Sequence, residues 1–270
     1  MYNHFQLATK YLQYYLAAFN GKGHGMHSPF FFHFITQVLN DKQQYSEYDT
    51  VENLRSELLK DKTVLTIEDF GAGSSINKTN ERTVASIAKN AAKPKKFGQL
   101  LFRMVKAYQP ATILELGTSL GITTSYLSLA KPTAKLITME GANAVANVAR
   151  NNFEKLKLKN WLIEQGNFDH TLPAIIRALS EVEGPSVDFA FIDGNHRQEP
   201  TERYFLELLP KTNNDSILIF DDIHWSREMQ AAWETIKAHP SVRCTIDLFF
   251  IGIVFFREEF REKQHFSVRF

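Results

Sequence analysis

The stretch Thr112-Ile-Leu-Glu115-Leu-Gly117-Thr118-Ser119-Leu-Gly121 decides the fold. A short apolar run carrying one carboxylate ends in a glycine turn, and a helical pattern begins at once. That is how a buried strand passes into a helix whose first amides face a small anionic group. From Ala111 onward the chain alternates regularly. Strands are expected at 112–116, 135–140, 161–165, 187–193, 216–222, 242–249 and 251–257, with helices near 120–130, 143–158, 171–182, 199–209 and 226–238. Strands separated by helices imply parallel pairing with right-handed crossovers, hence an α/β, doubly wound, mostly parallel seven-stranded sheet. The last two strands lie too close for a crossover and are expected to form an antiparallel hairpin around Gly252.

Upstream, residues 1–95 read as a helical N-terminal cap or lid, followed by the main domain at 96–270. Apolar residues at helical spacing from Phe5 to Phe19 suggest a first helix, and Gly21–Gly25 breaks it. Ser28 and Pro29 look like the cap and first turn of a second helix over Phe30–Leu39. His24 and His27 have the spacing of paired metal ligands without a strong third. Val64–Phe70 followed by Gly71–Ser75 imitates a strand and glycine turn, but the polar run after it gives no helix to pack on a sheet. It is expected to be a loop or substrate lid, with Lys78 and Arg82 on it. Two helices, Arg82–Ala92 and Lys95–Tyr108, precede the sheet.

Composition bounds the function classes. The 270 residues are 44% hydrophobic and 23% charged, ordinary for a soluble globular protein. A net charge of +1 provides no long-range field to gather nucleic acid. One cysteine, Cys244, excludes an internal disulfide framework and a cysteine-based zinc site, so a cytoplasmic setting is expected. Polar residues thread the first helix, so it is no secretory signal. The uncharged run Leu248–Phe256 is about half the ~20 residues of a membrane span and reads as core strand. The 22 phenylalanines fit an aromatic core, an oligomer interface or an apolar cleft, and composition does not choose among these.

Five segments then carry a resemblance: Gly98-Gln-Leu-Leu101, Ile113–Gly117, Leu136–Glu140, Phe191-Ile-Asp193 and Ile219–Asp222. In order and spacing, over about Lys96–Ser226, they resemble the class I S-adenosylmethionine-dependent methyltransferases. Within that class they are similar to the metal-dependent, catechol-type O-methyltransferases. The resemblance implies S-adenosylmethionine as cofactor and a small hydroxyl-bearing molecule as methyl acceptor. It implies a cofactor site of Glu115, Gly117, Thr118, Ser119, Gly121, Glu140, Gly141, Asn167 and Phe168.

Physical reasons accompany that assignment. The glycines let the backbone approach the amino-acid part of the cofactor, and the amides after Gly117 suit its carboxylate. Glu115 would meet the methionine ammonium. Glu140, 23 residues beyond Gly117, can accept bonds from both ribose hydroxyls. Asn167 offers an amide to adenine and Phe168 a face. The spacing Gly-x-x-x-Gly differs from the nicotinamide fingerprint.

Asp193, Asp221 and Asp222 end the fourth and fifth strands, and as converging carboxylates they suit magnesium or another divalent cation. Where the catechol-type group has Asp-Asn, this chain has Asp221-Asp222. His196 stands where that group carries its catalytic lysine and is expected, with Asp193, to act in catalysis. Arg197 is expected to orient an anionic substrate, and His224 and Trp225 to wall the cleft. A metal-independent enzyme acting on nitrogen or a macromolecule, and a non-catalytic module retaining the cofactor fold, remain open alternatives.

Overall fold

The computed structural model describes residues 1–21, 28–67, 81–181 and 186–270. His24, His27, Lys78 and the Gly71–Ser75 turn lie outside these. The strands are, in chain order, β1 (Val64–Thr66), β2 (Glu81–Thr83), β3 (Thr112–Leu116), β4 (Lys135–Glu140), β5 (Trp161–Gln165), β6 (Phe189–Ile192), β7 (Ile217–Asp221), β8 (Cys244–Asp247), β9 (Ile251–Phe255) and β10 (Gln264–Ser267). The helices are α1 (His4–Ala17), α2 (Pro29–His33), α3 (Ser46–Leu58), α4 (Val84–Asn90), α5 (Lys95–Tyr108), α6 (Ile122–Ala130), α7 (Asn143–Lys155), α8 (Phe168–Ser180), α9 (Gln198–Leu208) and α10 (Arg227–Ala238). Two compact units divide the chain: Lys42–Ile175, and Met1–Asp41 with Ile176–Phe270.

In the first unit β3, β4 and β5 pair in parallel, with Leu114 opposite Ile137 and Ile137 opposite Leu162. All five residues of β3 are buried, so its apolar run reads as a strand covered on both faces. Helix α5 turns Phe97, Leu100, Leu101, Met104 and Val105 inward, the stripe that its spacing predicts. Helix α3 is fastened to α6 through Tyr126, whose hydroxyl donates to Glu52 at 2.8 Å. Burial and the Glu52 carboxylate push the Tyr126 pKa far up, so the phenol stays protonated and remains a donor. Arg55 Nε holds the same carboxylate at 3.1 Å. The helix expected from Arg82 begins two residues later, because Arg82 pairs with Leu65 in the β1–β2 hairpin and Thr83 then caps α4.

In the second unit the hydrogen-bonded order is β10-β8-β9-β7-β6. The pair β6–β7 is parallel, while β7–β9 and β8–β9 are antiparallel. The mostly parallel α/β architecture therefore stands, with one strand more than the seven expected: β10 joins β8 in parallel. Its Phe266 stacks on Phe31 with centroids 3.9 Å apart, and beyond it Val268 bridges to Phe19. Ser28 and Pro29 start α2 as expected, but the expected single helix continues as a π-helix over Phe34–Leu39.

The hairpin forms, but not around Gly252. Its turn is Leu248–Phe250, and Gly252 lies inside β9 opposite Asp247. Asp247 decides the difference: its Oδ1 accepts the Phe249 amide at 2.7 Å and holds Phe249 at φ +68. Gly252 is required for packing instead. A Cβ there would stand 2.6 Å from the ring of Trp233, which is buried. Gly252→Ala should therefore lower stability by about 1–3 kcal/mol, the usual cost of overpacking. It should be read as a lower urea midpoint with unchanged slope, and an unaltered midpoint would contradict this packing account.

Candidate functional site

The glycine turn of the first unit is held from below by Glu115. This carboxylate is fully buried, and its Oε2 accepts the Thr124 hydroxyl at 2.5 Å and the Thr138 hydroxyl at 2.6 Å. Thr138 in turn lies 2.6 Å from Thr118 in the turn. Such hydroxyl bonds offset the cost of burying a carboxylate. Glu115 thus reaches the turn through threonines, a layer that the spacing of the chain did not reveal.

The turn itself is closed by backbone bonds. The Gly117 and Thr118 amides both donate to the Met139 carbonyl, at 3.0 and 2.9 Å, and Gly121 donates to Thr118. Gly117 and Gly121 sit at φ +106 and +80, where glycine is favoured. At Gly121 a Cβ would also fall 2.3 Å from the Phe153 ring. This second glycine is required by α7 packing behind the turn as well as by the turn.

Glu140 ends β4 with both oxygens turned to backbone amides. Oε2 accepts from Ser119 at 2.8 Å, and Oε1 accepts from Ala142 across Gly141 at 2.9 Å. The acidic residue of the second strand therefore touches the glycine turn of the first. Beyond β5, the Asn167 Oδ1 accepts the Asp169 amide at 2.9 Å and starts α8, which leaves its Nδ2 end as donor. Phe168 opens that helix, partly exposed.

The second unit gathers a different group. The ligand-type atoms of Asp193, His196 and Asp221 all lie within 4.8 Å of one another. Asp193 follows β6, Asp221 ends β7 and is 1% exposed, and His196 Nε2 stands 3.4 Å from Asp193 Oδ1. His196 returns to Asp193 because Asn195 and His196 take φ +66 and +41, and its ring meets the edge of Trp225 at 5.5 Å. Asp222, expected in this group, is not among the three residues gathered. Its backbone turns at φ +52, and it lines a small cleft with Leu7, His224, Trp225, Phe249 and Phe250.

His224 and Trp225 were expected to wall the substrate cleft, and they line this small one. His224 is also bound on both sides, to Asp247 Oδ2 at 2.7 Å and to Gln230 Nε2 at 2.9 Å. Gln230 accepts in turn from Tyr2 and Lys10 of the N-terminal segment. Neither Asp247 nor Gln230 stood out in the sequence. Arg197 lies at the start of α9 in a groove with Glu199, Glu202 and Glu228, surroundings poorly suited to an anionic substrate.

Residues 114–223 match a family model described as a methyltransferase domain. No curated protein sequence matches the chain. In fold it is similar to the O-methyltransferase from Bacillus cereus solved in complex with S-adenosylhomocysteine. That pair has 19% identity over 83% of this chain and 96% of the other, with a TM-score of 0.52. It is similar to the O-methyltransferase TomG from Streptomyces achromogenes, involved in tomaymycin synthesis and solved with S-adenosylmethionine, at 14% identity, 80% and 91% coverage and a TM-score of 0.55. The S-adenosylhomocysteine-bound methyltransferase PaMTH1 from Podospora anserina gives 13%, 81% and 99%, and 0.54. Residues 114–223 are therefore similar to a methyltransferase domain, and the chain has the fold of the solved O-methyltransferases.

Proposed function

We propose that the protein transfers a methyl group from S-adenosylmethionine to a hydroxyl of a small molecule, with a divalent cation at the Asp193–Asp221 group. The observation that carries the cofactor half is the Glu140 carboxylate, placed at the end of β4 and bonded to the Ser119 amide of the glycine turn. Each carboxylate oxygen can accept more than one bond, so Glu140 can take the two ribose hydroxyls while holding the turn. Phe168 offers a face to adenine and Asn167 an amide donor.

In the reaction the methyl carbon leaves sulfur, the sulfur keeps the bonding pair, and a new carbon–oxygen bond forms. The acceptor proton must go to a base or to water. Orientation supplies most of the acceleration in such an in-line displacement. A divalent ion held by Asp193 and Asp221 would polarise the acceptor oxygen and lower its pKa. The donor spacing supports this, since atoms within 4.8 Å of one another need only close slightly around one ion. His196, beside Asp193, is the side chain of the group that can take a proton.

A cytoplasmic setting fits the single cysteine: Cys244 is buried and its thiol is pushed up to about 12, which leaves it inert. Among the described residues no helix is long and apolar enough to cross a membrane.

Two measurements test the reading. In calorimetric titration the wild-type protein should bind S-adenosylhomocysteine, and Glu140→Ala should weaken binding roughly 10- to 100-fold, the equivalent of losing charge-assisted hydrogen bonds. Equal binding by both proteins would remove Glu140 from the site. With a hydroxyl acceptor, a chelator or Asp193→Asn should lower turnover by about a hundredfold or more. Full turnover under chelator would make the enzyme metal-independent.

A further inference from the structure

We infer that the outer face of α1 is the surface on which two copies of this chain associate, their α1 helices antiparallel about a twofold axis at Leu12. The inference is independent of the transferase reading. Within α1, Phe5, Ala8, Leu12 and Tyr15 follow one another at intervals of three, four and three residues, and Leu16 adjoins them. That is the a-and-d spacing by which one helix seats another. All five are exposed, Phe5 at 82% and Leu16 at 71%. Phe19, half exposed just past the helix, extends the series by one step.

The other side of the same helix is occupied. Tyr14 donates to the Asp247 and Val268 carbonyls, and Lys10 donates to Gln230 at 3.2 Å. The Tyr11 ring meets Phe249 edge-on at 4.9 Å. Asn3 and Gln6 close the first turn, each side chain accepting the other's amide. A helix fixed in this way cannot roll its apolar stripe inward without breaking these bonds. The stripe therefore stays exposed in a single copy, and a contiguous apolar patch marks an interaction site.

Charge selects the occupant. Among residues 1–20 Lys10 alone is a Lys, Arg, Asp or Glu, and its ammonium is spent on the inner side, 4.5 Å from the centre of the Tyr2 ring. A helix that lies on an anionic lipid surface carries a basic polar face, which α1 lacks. No carboxylate on the helix offers a basic partner a hold. The Arg269 guanidinium, 4.4 Å over the Tyr15 ring, supplies a cation beside the stripe, as interface margins commonly do. A second α1 matches the uncharged stripe. Antiparallel pairing about Leu12 sets Ala8 against Leu16 of the second copy, small against large, and symmetry repeats the contact. Each copy would cover roughly 500–600 Å² of side chain. The total, a little over about 1,000 Å², is the lower bound for a specific interface, so association is reversible with a dissociation constant on the order of micromolar.

The test is sedimentation velocity on the full-length protein. Wild type should pass from monomer to dimer over about 1–100 μM. Leu12→Glu with Leu16→Glu should weaken association at least about a hundredfold by setting like charges at the axis. Leu206→Glu, at an exposed leucine of α9, should leave the dimer intact. Cross-linking reads the pairing without added charge. Cys244 is buried, so Leu12→Cys supplies the reactive thiol, and mild oxidation should join two copies. Phe5→Cys should not cross-link, because its two copies stand about 21 Å apart along the paired helices. A monomer at every concentration, or a dimer indifferent to Leu12→Glu with Leu16→Glu, would overturn the inference. So would cross-linking through Phe5→Cys but not Leu12→Cys. A monomer that sediments with phosphatidylserine vesicles would give the stripe to lipid instead.

Discussion

The buried carboxylate of Glu115 is the constraint on which the glycine turn depends. It sits in the middle of a strand covered on both faces, where an uncompensated charge would cost several kcal/mol. Thr124 from α6 and Thr138 from β4 donate to it, and Thr138 also contacts Thr118. One side chain thereby ties two strands, a helix and the glycine turn together. Charge-assisted hydrogen bonds are worth about 1.5–3 kcal/mol each, so this arrangement does not yield easily. Glu140 adds a second tie from the other end of β4. The turn is thus shaped before any ligand arrives, which is what close approach to a bound cofactor requires.

The second unit gathers backbone strain around the Asp193, His196 and Asp221 group and the adjoining cleft. Asn195, His196, Asp222 and Phe249 all take positive φ, although none is glycine. They follow β6, β7 and β8 respectively, at the strand ends where an open parallel sheet binds ligands. Left-handed residues cost on the order of 1–3 kcal/mol each and persist only where neighbours over-determine them. For Phe249 those neighbours are the Asp247 carboxylate, the stacked His224 ring at 5.0 Å and the edge of Tyr11 at 4.9 Å. Glycine would relieve the strain and remove the side chain that each position presents. Helix α1 is part of the same arrangement, since Lys10 and Tyr14 donate to Gln230 and to the Asp247 carbonyl.

Much of this was legible in the sequence, and the exceptions share a cause. The buried strand, its glycine turn and Glu140 are local features: an apolar run, a spacing, a strand-end carboxylate. What stayed hidden depends on residues distant in the chain. Gly121 faces Phe153, Gly252 faces Trp233, and Glu115 is satisfied by Thr138, so each position has a reason located elsewhere. Strand β10 is only four residues, without an apolar run, and is set by Phe31 and Phe19 from the other end of the chain. The grouping of His196 with Asp193 and Asp221 is the most instructive case. Asp193 follows β6 and Asp221 ends β7, neighbouring strands of the sheet, whereas His196 reaches them from a loop. A loop with two left-handed residues can meanwhile bring a position three residues away back to its start. Side chains that share a site at a strand end are therefore selected by the order of the strands and by the loop's dihedrals, neither of which is written in the local spacing of the chain.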